Sequence, residues 1–314
     1  MKGTALSLLR PRALRPGDRV AVIAASSPAE QDKLDRGLAA IDGLGLKADV
    51  FGSARDTGSM YDYLAGDDAL RGADLTRALA DPAYAAVFCA SGGYGMQRTL
   101  ERVDWAAIDA SAPKVVVGYS DVTALLEAIA VKLGWVSLFG PMPACDGFHQ
   151  GPGHYAFDTL AGLLFRPGTV RELTFPGFRT VVPGVAEGTT LGGTASLLAA
   201  SVGTDTSLPA RGGILFLEDV DELPYRLDRI ITQLRRSGYG DGVAGVLLGT
   251  FTDCGDPVHV RRMLGERLGD LGVPVLAGAD IGHGVDMQTY PIGVRARLNA
   301  TAGTLTLLDP ALTA

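Results

Sequence analysis

The stretch whose reading decides the fold is Lys114-Val115-Val116-Val117-Gly118-Tyr119-Ser120-Asp121-Val122-Thr123-Ala124-Leu125-Leu126. Unbroken valines read as a strand buried on both faces, and the apolar run that restarts after Ser120 reads as a helix. A serine at such a corner is held out on a tight turn at the positive end of the helix dipole. Its neighbour's backbone N–H can there face a developing oxyanion, so this is where a nucleophile would sit. The competing use of a serine that opens a helix is as its N-cap, a role for which Asp121 is also available.

Working outward, residues 19–25 (RVAVIAA) form a first buried strand, introduced by Arg15-Pro16-Gly17-Asp18 and closed by Ser26-Ser27-Pro28. Helical spacing follows through Leu34, Leu38, Ile41 and Leu44, then a second strand over 47–51. A loop with Tyr63-Leu64-Ala65-Gly66-Asp67, a helix over 70–79, a strand over 85–90 and a glycine turn lead to the Ser120 strand. This alternation predicts an α/β fold whose first half is a parallel sheet covered by helices on both faces. Residues 151–188 change to Pro/Gly punctuation with short extended pieces (Thr174-Phe175, Thr180-Val181-Val182), as in a linker. The second half has one clear helix over 223–237 among β-like runs at 213–217, 243–251, 273–276, 294–299 and 304–308, a smaller α/β domain. The expected division is a nucleophile domain over 1–165, a linker over 166–187 and a C-terminal domain over 188–314.

The bulk properties narrow the function. With 314 residues, 47% hydrophobic and 20% charged, the chain is an ordinary globular protein of about two domains. A net charge of -7 and the lack of any Lys/Arg stripe argue against nucleic acid as a partner. The opening Met1-Lys2-Gly3-Thr4-Ala5-Leu6-Ser7-Leu8-Leu9 is too short for a signal peptide, and no window reaches the roughly 18 apolar residues of a membrane span. A cytoplasmic protein without membrane contact is expected. Cys89, Cys145 and Cys254 are widely spaced, so neither a disulfide framework nor a thiolate metal site is expected; all three read as buried hydrophobes, with Cys89 nearest a glycine cluster.

Ser91-Gly92-Gly93-Tyr94-Gly95 follows the 85–90 strand, so it shares the carboxyl edge of the sheet with Ser120, the edge where open α/β sheets bind ligands. Such glycines serve either a phosphate or an oxyanion, and the G-x-G-x-x-G spacing of dinucleotide sites is absent. Of the four histidines, His149 and His154 lie in a Gly/Pro-rich loop and His259 opens an arginine-rich helix. His283, between Gly282 and Gly284 after an apolar strand, is the best general base, with an ordinary loop histidine as the other reading. Glu218-Asp219 ends the 213–217 strand, so one of the two is placed to orient that base. No H-E-x-x-H or related spacing occurs, and no metal or cofactor is expected.

Together these segments resemble the LD-carboxypeptidase family of serine peptidases, which includes muramoyltetrapeptide carboxypeptidase and the microcin C self-immunity protein. The likeness runs through Leu14-Arg15-Pro16-Gly17-Asp18, Ala25-Ser26-Ser27-Pro28, Tyr63-Leu64-Ala65-Gly66, Gly92-Gly93-Tyr94-Gly95 and Gly118-Tyr119-Ser120-Asp121. It continues through Gly140-Pro141-Met142, Leu217-Glu218-Asp219-Val220, Tyr225-Arg226-Leu227-Asp228-Arg229 and Gly282-His283-Gly284. The resemblance implies a flavodoxin/glutamine-amidotransferase-like N-terminal domain and a site at the domain interface. It implies Ser120 as nucleophile, His283 as base then acid, and Glu218 orienting the imidazole. The oxyanion hole maps onto the backbone of Asp121, Gly92 and Gly93, and domain closure would complete the triad.

Ser91 and Tyr94 are the expected substrate contacts. Two departures stand out: Ser91 where peptidoglycan-processing members usually have arginine, and Gly192-Gly193-Thr194 where Gly-Gly-Asn is usual. The leading expectation is a carboxypeptidase cleaving the amide between an L-centre and a terminal D-amino acid, as in murein tetrapeptide recycling, on a small peptide or peptide-like substrate. The alternatives are a microcin C-type amidase acting on peptidyl or aminoacyl nucleotides, and a non-catalytic small-molecule-binding protein. Family members are often homodimers, and nothing else in this sequence bears on assembly.

Overall fold

Strand alternation under two layers of helices organises the first half of the chain. The computed structural model of the protein describes residues 7–55, 59–284 and 286–314, so Met1 to Leu6 of the opening stretch lie outside the described residues, as does Val285. The chain runs β1 (Arg19–Ile23), α1 (Gln31–Gly43), β2 (Lys47–Val50), α2 (Gly52–Arg55), α3 (Asp68–Ala80), β3 (Tyr84–Cys89), α4 (Met96–Leu100), β4 (Val115–Gly118), α5 (Thr123–Lys132), β5 (Ser137–Phe139) and α6 (Tyr155–Phe165). It continues through β6 (Glu172–Thr174), β7 (Arg179–Val182), β8 (Val185–Thr194), α7 (Ala195–Ser201), β9 (Gly213–Val220), α8 (Pro224–Arg236) and β10 (Gly245–Thr252). The last elements are α9 (Pro257–Leu268), β11 (Val275–Ala277), β12 (Tyr290–Ile292), β13 (Arg295–Asn299) and β14 (Thr304–Leu307).

The first sheet has the order β12-β5-β4-β3-β1-β2, parallel throughout except for β12, which runs antiparallel to β5. Along β1, Val20 and Val22 point into the layer formed by α1 and α6, while Ala21 and Ile23 point to α3 and α5. Both faces are dry, which is why these strands read as continuous apolar runs.

The second sheet is wider, with the order β6-β14-β13-β8-β9-β10-β11-β7, parallel from β8 to β11 and antiparallel towards both edges. The segment expected as a linker carries β6 and β7, one at each edge of this sheet. Edge strands are short and punctuated by turn residues, and that makes them resemble a linker in sequence. Helix α6 lies in the same Pro/Gly-rich region, where the punctuation of the sequence hides its apolar face. Strand β8 (VAEGTTLGGT) is likewise too rich in glycine and threonine to stand out.

The two halves share one core. Phe139 of the first sheet packs edge-on to Phe216 of the second at 5.2 Å, and Phe216 meets Tyr290 at 4.8 Å. Tyr290 sits in β12, the strand that returns from the second half to the first sheet, and its hydroxyl donates to the Ile214 carbonyl at 3.2 Å.

A buried carboxyl ties the same interface. Glu127 on α5 accepts from the Tyr239 hydroxyl at 2.8 Å and from the Leu208 N–H at 3.1 Å. Burial pushes its carboxyl up to about 7. A carboxyl that binds its proton more tightly when folded contributes stability below the unfolded value, and that contribution fades as pH rises towards 7. Wild type should therefore lose on the order of 2 kcal/mol between pH 5 and pH 8 relative to Glu127→Gln, which keeps the acceptor and cannot ionise. Urea midpoints of the two proteins at both pH values check this; parallel pH slopes would refute it.

Candidate active site

The corner after β4 is strained. Tyr119 is extended, Ser120 sits at φ 62°, and a single 3₁₀ turn over Ser120–Val122 leads into α5. A non-glycine residue in the left-handed region costs roughly 1–3 kcal/mol, so the surrounding packing must hold it. That packing is the glycine turn after β3: a Cβ built at Gly92 would lie 2.9 Å from Ser120 Cβ and 3.1 Å from its Oγ. Gly92 therefore brings bare backbone against the serine side chain.

The turn is pinned through Ser27. Ser27 Oγ accepts from the Tyr94 N–H at 3.0 Å and donates to the Tyr63 carbonyl at 2.8 Å, while Ser91 Oγ donates to the Ser27 carbonyl at 3.1 Å. Ser120 makes no side-chain capping bond, and Asp121 does not cap its own helix either. The buried Asp121 carboxylate accepts from the Met96 N–H at 2.7 Å instead, capping α4, so one side chain locks the glycine turn's helix to the Ser120 corner. Desolvation raises its carboxyl above the ordinary range.

Glu218, near the end of β9, is fully buried. Its Oε2 lies 2.7 Å from His283 Nδ1 and accepts the His283 backbone N–H at 3.2 Å; its Oε1 accepts from Thr194 Oγ1 at 2.5 Å. Parallel pairing of β8 with β9 sets Thr194 directly beside Glu218. Glycine is required at 282, where φ is +118° and a Cβ would stand 2.5 Å from Glu218 Oε2. With the carboxylate on Nδ1, the imidazole carries its proton there and keeps the Nε2 lone pair for base chemistry. Asp219 points to the opposite face, as strand alternation demands, and accepts from the Ser196 N–H at 2.8 Å at the start of α7. Burial pushes that carboxyl up to about 7.

Thr123 and Thr194 join the two constellations. Thr123, on the first turn of α5 after Ser120, donates to Thr194 Oγ1 at 3.2 Å and accepts the Thr194 N–H at 3.1 Å. A cleft of about 460 Å³ opens over the junction, lined by Ser91, Gly92, Gly93, Tyr119, Cys145 and His283 among others. The Tyr119 ring lies 5.0 Å from the His283 ring. Ser120 itself is not among the residues that line the cleft; it stands behind Gly92, and among the described residues its Oγ takes part in no hydrogen bond, to the imidazole or otherwise. Apo geometry of this kind commonly tightens only when substrate is bound.

The sequence carries the decisive evidence of kinship. Residues 20–140 match the LD-carboxypeptidase N-terminal domain and residues 187–298 match the LD-carboxypeptidase C-terminal domain. The chain belongs to the LD-carboxypeptidase family. It is 50% identical, over 97% of its length and 98% of the relative's, to a Streptomyces coelicolor protein that bears the name putative carboxypeptidase. It is 32% identical to the murein tetrapeptide carboxypeptidase of Pseudomonas aeruginosa, over 89% of this chain and 92% of that one. Its fold matches that of MccF in complex with glutamyl sulfamoyl guanosine with a TM-score of 0.86, at 24% identity, covering 97% of this chain and all (100%) of the other. This LD-carboxypeptidase family member is a serine carboxypeptidase hydrolase.

Tyr94, an expected substrate contact, and the three histidines set aside in the sequence lie away from the junction. In this family member Tyr94 presents its ring 53% exposed against Tyr63, off the lining of the cleft. His149 pairs with Asp146 at 2.9 Å, His154 faces Asp286 at 3.9 Å, and His259 stands exposed on α9. Cys145, not Cys89, is the thiol that lines the cleft, and burial pushes it up to about 11, too high for a ready thiolate. No three His, Cys, Asp or Glu side chains among the described residues are grouped to hold a metal ion, and no described helix is long and apolar enough to cross a membrane. A larger groove of about 590 Å³ between α9 and β7, β10 and β11 carries none of the candidate triad.

Thr194, Tyr119 and Thr123 are the contributors that sequence reasoning did not assign. Thr194→Val should cost about 1–3 kcal/mol, because it strips a hydroxyl donor from a buried carboxylate, whereas Thr194→Ser should retain most of the stability. Urea denaturation of both variants tests this, and equal stability of valine and serine forms would refute it.

Proposed function

We propose that this protein is an LD-carboxypeptidase that releases a C-terminal D-amino acid from the L-centre before it, on murein-type tetrapeptides, through an acyl-enzyme on Ser120. The observation that carries the reading is the Glu218–His283 pair at 2.7 Å, at the cleft where Gly92 backs the left-handed Ser120. His283 Nε2 takes the Ser120 proton as Oγ attacks the scissile carbonyl, then returns it to the leaving amine. Water repeats the cycle to free the acyl group. Glu218, with Thr194 and the His283 N–H holding its two oxygens, stabilises the imidazolium that forms between the two steps. The N–H groups of Asp121 and of the Gly92-Gly93 turn serve as oxyanion donors, for which the absence of a Cβ at Gly92 leaves room.

Recycled muropeptides are met in the cytoplasm, which is the place of action this substrate fits. The murein tetrapeptide carboxypeptidase kinship supports the substrate class. A second reading, hydrolysis of aminoacyl or peptidyl nucleotides, is favoured by Ser91: this neutral side chain lines the cleft where peptidoglycan-processing relatives usually carry arginine. D-alanine release from L-Ala-γ-D-Glu-meso-diaminopimelyl-D-Ala, set beside cleavage of an aminoacyl sulfamoyl adenosine, separates the two.

Wild type should release D-alanine, Ser120→Ala should be slower by at least about 10³-fold with its fold intact, and chelator should leave the rate unchanged. Turnover restored to chelated enzyme only by zinc would overturn the serine mechanism. A fluorophosphonate probe should label wild type at Ser120; a protein that neither labels nor turns over either substrate would be a binding protein.

A further inference from the structure

An exopeptidase must recognise the free carboxylate that ends its substrate, and a buried or half-buried carboxylate needs a cation or several N–H donors to replace its water. Of the residues lining the cleft, Lys33 is the one lysine or arginine. It stands on α1, its side chain 29% exposed, with Nζ 3.1 Å from Glu30 and 3.8 Å from Asp146. Both partners are exposed carboxylates, so these pairs are screened by water and weak. Glu30 is an exposed neighbour one helical turn away, a kind of pair worth little, and Asp146 is held more closely by His149 at 2.9 Å. An ammonium has three donors, and this one has a single oxygen within normal hydrogen-bonding range.

We infer that Lys33 is the anchor for the terminal carboxylate of the substrate, the specificity residue that makes this cleft an exopeptidase site. The inference rests on the serine carboxypeptidase reading for its substrate, and it accounts for the tolerance of Ser91: the cation is supplied from α1 instead of from the glycine turn.

The test is calorimetric binding of the tetrapeptide as free acid and as C-terminal carboxamide to Ser120→Ala and to Ser120→Ala/Lys33→Met, with release by wild type and Lys33→Met run alongside. Ser120→Ala should bind the acid about 10-fold or more tighter than the amide, as expected of a charged hydrogen bond. The Lys33→Met background should shrink that preference to within about 2-fold, and Lys33→Arg should restore most of it. A preference that survives Lys33→Met, or is absent from Ser120→Ala, overturns the anchor. A merely structural role would weaken acid and amide by the same factor, which also overturns it. Lys33-dependent preference in binding without any release by wild type sustains the anchor and overturns the serine carboxypeptidase reading.

Discussion

The fully buried carboxylate of Glu218 is the constraint around which the second half of the chain is arranged. An ionised group cut off from water is tolerated only when its lone pairs are taken up, and here three donors do so: Thr194 Oγ1, His283 Nδ1 and the His283 N–H. Each donor in turn demands backbone close by. Gly282 lets the loop that carries His283 approach the carboxylate, and a Cβ at Gly249 would stand 2.3 Å from the Ile281 carbonyl on the same approach. Gly249 and Gly282, which look like loop material in sequence, are thus part of the clearance needed for one carboxylate.

That charge is also the link between the two sheets. Thr194 holds Glu218 with its hydroxyl and is held by Thr123, which sits one turn into the helix that Ser120 opens. The position of the imidazole is therefore referenced, through two threonines, to the helix that carries the candidate nucleophile. A Cβ at Gly193 would meet the Thr123 side chain at 2.6 Å, so the approach of β8 to α5 is as close as backbone allows.

The legible part of the fold is the part with strong periodicity. The 19–25, 85–90 and 114–118 runs are strands because both faces are covered, and no other apolar pattern so short would be continuous. The 223–237 helix declares itself through Leu227, Ile231 and Leu234 on one face. What stayed illegible is β8, where threonine and glycine replace branched apolar residues, and β12, whose three residues pair with a strand more than a hundred positions earlier. At the site, Ser120, Gly92 and Glu218 could be singled out because each stands at or near a strand end beside a turn, and His283 because glycines flank it and the other three histidines sit in less constrained settings. Thr194 and Thr123 could not be assigned, since their roles arise from pairing between strands and from contact between domains, which no local pattern records.

The sequence suggests closure of one domain on another as the step that would complete the triad, and the architecture argues for something smaller. β12 leaves the second half to bond β5 of the first sheet, and Phe139, Phe216 and Tyr290 pack as one cluster across the junction. Glu127 adds a buried hydrogen-bonded tie from α5 to Tyr239 and Leu208. A swing of whole domains would tear all of these at once, and close-packed interiors do not deform gradually. The side chain left with freedom near the cleft is Ser120, whose Oγ has no hydrogen-bond partner among the described residues, whereas Tyr119 is packed between Phe139 and the imidazole. Joining Ser120 to His283, as the proposed mechanism requires, then calls for side-chain rotation and small shifts of the two turns, not for a swing of whole domains.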